Sequence, residues 1–67
     1  MYKVVLFKHD DTIEVVDSYE FSINGYAVAK ERAENVWNFD NMSGVKSVAL
    51  LEGDVKLIEY YCTINQF

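Results

Sequence analysis

The sequence predicts an α+β fold in the order ββαββ, with a single helix packed on one face of a four-stranded, mainly antiparallel sheet. Three observations lead there. Apolar residues recur at every second position near both ends of the chain. The central stretch YAVAKERAENVWNF places its apolar residues at helical spacing instead. The polar triplets His9-Asp10-Asp11 and Glu52-Gly53-Asp54 divide each end into two strands. Laying the one helix on the sheet is the simplest way to bury all these residues.

The first strand is expected over residues 2–8, with Tyr2, Val4 and Leu6 on one face and Val5 and Phe7 on the other. Asp10 and Asp11 favour a turn because their side chains bond nearby backbone amides. Residues 12–21 then alternate. Ile13, Val15, Tyr19 and Phe21 point one way and Thr12, Glu14, Ser18 and Glu20 the other, with Val16 and Asp17 out of step. The first hairpin thus spans 2–21.

Ser22 or Asn24 can cap a helix over about 23–39 by accepting a bond from a free amide. Its apolar stripe is Tyr26, Ala29, Ala33, Val36 and Trp37, with Lys30 and Glu34 forming an exposed pair at i and i+4. Residues 41–44 end it, Gly44 being suited to a left-handed backbone. A second hairpin over 45–64 sets Val48 and Leu50 opposite Val45, Ala49 and Leu51, with Gly53 in the turn. All 67 residues form one domain with no Pro and no linker-like tract.

A chain this short is near the lower limit for a self-supporting core. Disulfides, a metal or a second subunit are the usual reinforcements. With one cysteine, Cys62, and one histidine, His9, the first two are out of reach, and no cofactor is expected. The run Val4-Val5-Leu6-Phe7 is apolar on both faces, and one helix shelters only one. The uncovered face is expected to bind a second copy through Val4, Leu6 and Val16, giving a homodimer.

Eleven acidic against six basic residues give a net charge of −5. Nucleic-acid phosphates and anionic membranes both require clustered Lys and Arg, so neither is an expected direct partner. A basic protein is. The N-terminus has no charged region leading into an apolar segment, and the apolar runs are far short of the ~20 residues that span a bilayer, which predicts a cytoplasmic location.

No catalytic pattern is present, and an enzyme is not expected. His9 lies in a polar turn with no second cluster to complete a site. Cys62 has no nearby base and reads as a structural thiol. Trp37 reads as core, while Phe39 lies a turn off the main stripe and could anchor an interface. The acidic residues are the main candidates for partner binding: Asp10, Asp11, Glu14, Asp17, Glu20, Glu31, Glu34, Asp40, Glu52 and Asp54. They serve either as a dispersed solubilising surface or as carboxylates standing where phosphates would, in the manner of a nucleic-acid mimic.

The helix YAVAKERAENVWNF running through a polar break into GVKSVALLEGDVKLIEYY resembles the small acidic early proteins of tailed bacteriophages, and loosely the phage inhibitors of bacterial RNA polymerase. The full hairpin before the helix departs from that pattern. The resemblance implies a stoichiometric inhibitor acting in the host cytoplasm on a basic nucleic-acid-binding protein, either a nucleoid protein or the transcription machinery. The alternative is a structural or assembly module that self-associates through an apolar sheet face and is acidic only to remain soluble.

Overall fold

The computed structural model describes residues 1–39 and 44–61. Strands β1 (Tyr2–Lys8) and β2 (Ile13–Tyr19), helix α1 (Ile23–Phe39), and strands β3 (Val45–Glu52) and β4 (Val55–Tyr61) follow in the predicted ββαββ order. The sheet runs β2-β1-β3-β4 with every neighbouring pair antiparallel, so α1 carries the chain from one edge, past β1, to β3. The break expected at 41–44 falls mostly on residues outside those described, as do Cys62 and the expected end of the last strand at Ile64.

Ser22 is the helix cap: its Oγ accepts the Gly25 amide at 2.8 Å, satisfying a donor that has no partner within the helix. The core beneath α1 consists of Ala29, Ala33 and Val36 against Val4, Leu6, Val45, Val48 and Leu50. Two alanines on the inner stripe let the helix sit close to the sheet. Tyr2, Val16, Tyr19, Ile58 and Tyr60 close the margins of this core. Gly44 and Gly53 have φ of 81° and 59°, the left-handed values their turns require. Asp11 also takes a positive φ, 70°, in the first turn.

Three bulges decide which residues face the helix. In β2, Val5 pairs with Val15 but Val4 pairs with Asp17, which makes Val16 the extra residue. In β3, Phe7 pairs with Ser47 but Lys8 with Val45, and Lys46 is extra. In β4, Leu50 pairs with Ile58 but Leu51 with Lys56, and Leu57 is extra. A bulge puts residues three apart on one face, where regular alternation would separate them.

This corrects the expected faces. Ile13 and Val15 register with Phe7 and Val5 on the side away from the helix, while Tyr19 registers with Tyr2 beneath it. Val45 joins Val48 and Leu50 in the core rather than opposing them. The expected placement of Val4, Leu6 and Val16 on an uncovered face is also corrected. Val4 and Leu6 are buried under α1, and the bulge turns Val16 toward the same core.

Candidate functional site

The sheet face away from the helix carries Lys3, Val5 and Phe7 of β1, Ile13 and Val15 of β2, Ser47, Ala49 and Leu51 of β3, and Lys56, Glu59 and Tyr61 of β4. No element lies over it among the described residues, yet its two halves differ sharply.

The β3–β4 half is roofed by its own side chains. The Lys56 ammonium lies 5.4 Å from the centre of the Phe7 ring, a cation–π distance. It also bonds Glu59 at 2.7 Å. The other Glu59 oxygen accepts the Ser47 hydroxyl at 2.5 Å, and the Tyr61 hydroxyl donates to Glu59 at 2.9 Å. Beneath this clasp Val5, Ser47 and Ala49 are sealed from water. Burial by itself pushes the Glu59 carboxyl up. The hydrogen bonds from Lys56, Ser47 and Tyr61, and the Lys56 charge, outweigh it and hold the group below its ordinary value of 4.5. The bulge at Leu57 is what brings Lys56 and Glu59 to one face.

Among the described residues the β2 half has no such roof. Ile13 is 59% exposed and Val15 53%. β2 is also an edge strand, with β1 on one side only, so alternate backbone groups point away from the sheet.

The predicted acidic residues fall into separate groups. Asp10, Asp11 and Glu14 lie at the β1–β2 turn, while Glu52 and Asp54 lie at the β3–β4 turn, at the other end of β1. Glu14 and Asp17 register with Leu6 and Val4 on the helix side, three residues apart but on one face because of the Val16 bulge. Glu31 and Glu34 are on the helix. Asp40 lies outside the described residues. On the uncovered face the acid is Glu59, already committed to its clasp.

Several carboxylates have partners within the chain. Glu14 bonds Lys8 at 2.8 Å, and the same contact holds the Lys8 ammonium above its usual range. Asp17 accepts the Tyr19 hydroxyl at 2.9 Å and lies 3.8 Å from Arg32. Asp10 accepts both the hydroxyl and the amide of Thr12, which lowers its carboxyl. Glu34 takes the Tyr60 hydroxyl at 2.9 Å in place of the Lys30 pairing expected at i and i+4. Burial first, and then that bond, raises the Tyr60 hydroxyl. Asp11, Glu20, Glu31, Glu52 and Asp54 form no ion pair among the described residues.

Trp37 stands at the margin rather than in the core. It stacks on Tyr60 with ring centres 5.0 Å apart, and its Nε1 donates to the Tyr61 carbonyl at 3.1 Å. His9 donates its backbone amide to the Gly44 carbonyl at 3.0 Å, tying the first turn to the start of β3. Among the described residues no three His, Cys, Asp or Glu side chains group to hold a metal ion, and no helix is long and apolar enough to cross a membrane.

The chain matches no family model, no curated protein and no solved structure.

Proposed function

We propose that the protein works by contact rather than catalysis, as an acidic module that binds a basic protein and occludes its nucleic-acid-binding surface. The observation that carries this reading is the unequal distribution of charge. Residues 9–29 contain five acidic residues and no Lys or Arg. The strand acids Glu14, Asp17 and Glu52 register with helix-side residues, while the opposite sheet face holds Lys3 and Lys56 against Glu59. An acidic side of this kind attracts a basic partner at long range and fixes its orientation. The host-takeover role implied by the bacteriophage resemblance is one setting for such a module, with a bacterial nucleoid protein or the transcription machinery as target.

A competition assay tests the reading. Labelled duplex DNA bound to a purified bacterial histone-like nucleoid protein is titrated with the full chain at low and at high salt. Displacement at low salt that weakens as salt rises is expected, because screening shortens the reach of exposed charges from ~30 Å at 0.01 M to ~8 Å at 0.15 M. DNA that stays bound at low salt would count decisively against it.

A further inference from the structure

We infer that the free edge of β2 is a docking site for an extended peptide segment that alternates apolar and basic side chains. The inference rests on the reading above and specifies the partner's chemistry. Strand addition supplies affinity through main-chain hydrogen bonds and specificity through alternate side chains. β2 offers both. Its outer edge is unpaired among the described residues, and its side chains sort by face. Ile13 and Val15 stand exposed on the uncovered face, and Glu14 and Asp17 lie on the helix side. A strand added here sends its own residues to the same two faces. Apolar side chains then cover Ile13 and Val15, and basic ones reach Glu14 and Asp17.

The charges also select the occupant. Asp10, Asp11, Glu14, Asp17 and Glu20 surround the edge, against Lys8 and Arg32 as the cations that bond or approach them. Carboxylates have room for further donors beyond one ammonium. A second copy paired β2 to β2 sets Glu14 and Asp17 of both chains on one side of the seam, where like charges destabilise the pairing. A basic strand has the opposite effect. The site is short, because the bulge at Val16 interrupts the edge and the Ser18 amide already donates to the Asp17 side chain at 3.1 Å. It therefore centres on residues 13–16.

The test uses the full chain, ¹⁵N-labelled, titrated with three synthetic peptides while amide shifts are followed. The first alternates Lys and Val over seven residues, the second alternates Glu and Val, and the third is the Lys–Val peptide with every backbone amide methylated, so that neither of its edges can donate. The first peptide is expected to shift the amides of residues 13–16 most, with binding that weakens in salt. The Glu–Val and methylated peptides are each expected to bind at least about tenfold more weakly, a difference of roughly 1.4 kcal/mol. Equal binding of the methylated peptide would overturn strand addition, and equal binding of the Glu–Val peptide would overturn the charge selection. Concentration-dependent shifts at residues 13–16 without peptide would assign the edge to a second copy instead. None of these readouts involves DNA. Peptide binding at β2 with no DNA displacement thus rejects the proposed function and keeps this site, and the converse result rejects the site alone.

Discussion

Beneath α1, Val4, Leu6, Val48 and Leu50 are sealed by Ala29, Ala33 and Val36. On the other side of the sheet Val5 and Ala49 are buried just as fully, with no element above them among the described residues. Their cover is Phe7 and the long side chains of β4, pulled together by Glu59. A small sheet can thus hide its second apolar face without a second layer, provided that polar groups on long stems are tied to one another. The stems exclude water and the heads remain partly wet. The limit of the device is also visible. It protects the two strands within reach of the clasp and leaves Ile13 and Val15 of the far strand exposed.

If the helix side supplies most of the stability, truncation there should cost far more than anything done to the clasp. Leu50→Ala removes one of the largest fully buried side chains. A loss of about 2–5 kcal/mol is expected in urea unfolding. In a domain this small that is a large share of the stability, so the urea midpoint followed by circular dichroism is expected to fall steeply at 25 °C. A loss under 1 kcal/mol would erase the difference between the faces.

Next in size is the attachment of the helix. A Cβ at Gly25 would fall well inside van der Waals contact with the Glu20 carbonyl oxygen, and would also crowd the Ser22 cap. Gly25→Ala, ordinarily a favourable change within a helix, should therefore cost about 1–3 kcal/mol as overpacking. Urea unfolding reads this too. A gain in stability would mean that the start of the helix yields without cost.

The element order was legible because alternation, helical spacing and turn residues agreed with one another, and Gly44 and Gly53 take the backbone their turns were expected to need. The faces were only partly legible. Strand β1 alternates regularly, and its residues divide between two faces as expected, although the face of Val4 and Leu6 lies under the helix and is not the uncovered one. In β2 the misfit of Val16 and Asp17 was itself the sign of a bulge, since one inserted residue reverses the parity of all that follow. The bulges at Lys46 and Leu57 leave less trace, because exposed Lys and Leu occur on either face. The clasp was hidden for the same reason. Lys56 and Glu59 are an odd number of residues apart and belong on opposite faces until the bulge is known. The acidic residues of the two turns could be placed from sequence, but that Glu14 and Asp17 share the helix side depends on the strand pairing and its bulge.

The clasp gives the third prediction, and it concerns pH. The Glu59 carboxyl is lower in the folded chain than its ordinary value of 4.5. Its contribution is therefore complete above that ordinary value, and it is lost as pH falls through the lower, folded one. Thermal unfolding should weaken below about pH 5 through Glu59, and Glu59→Gln should flatten that part of the profile. At pH 7 the substitution is expected to cost about 0.5–1.5 kcal/mol, since the Lys56 charge pair is lost. One of the Ser47 and Tyr61 hydroxyls, which donate to different Glu59 oxygens, must also turn to accept from the new amide nitrogen. An unchanged acid profile in the variant would place the pH dependence elsewhere.

The smallest effect belongs to the uncovered strand. Val15→Thr keeps β-branching, which suits a strand, and exchanges a methyl for a hydroxyl on a residue that is already about half exposed. No residue packed under α1 loses a neighbour, because Val15 registers with Val5 on the face away from the helix. A stability change within about 0.5 kcal/mol is expected. Binding of the Lys–Val peptide should fall by several-fold, since the apolar half of its contact is lost while the backbone edge is intact. If unfolding measurements instead reported a loss above 1 kcal/mol, Val15 would be part of the roof over Val5. The exposed strip on β2 would then belong to the packing of the sheet and not to its binding surface.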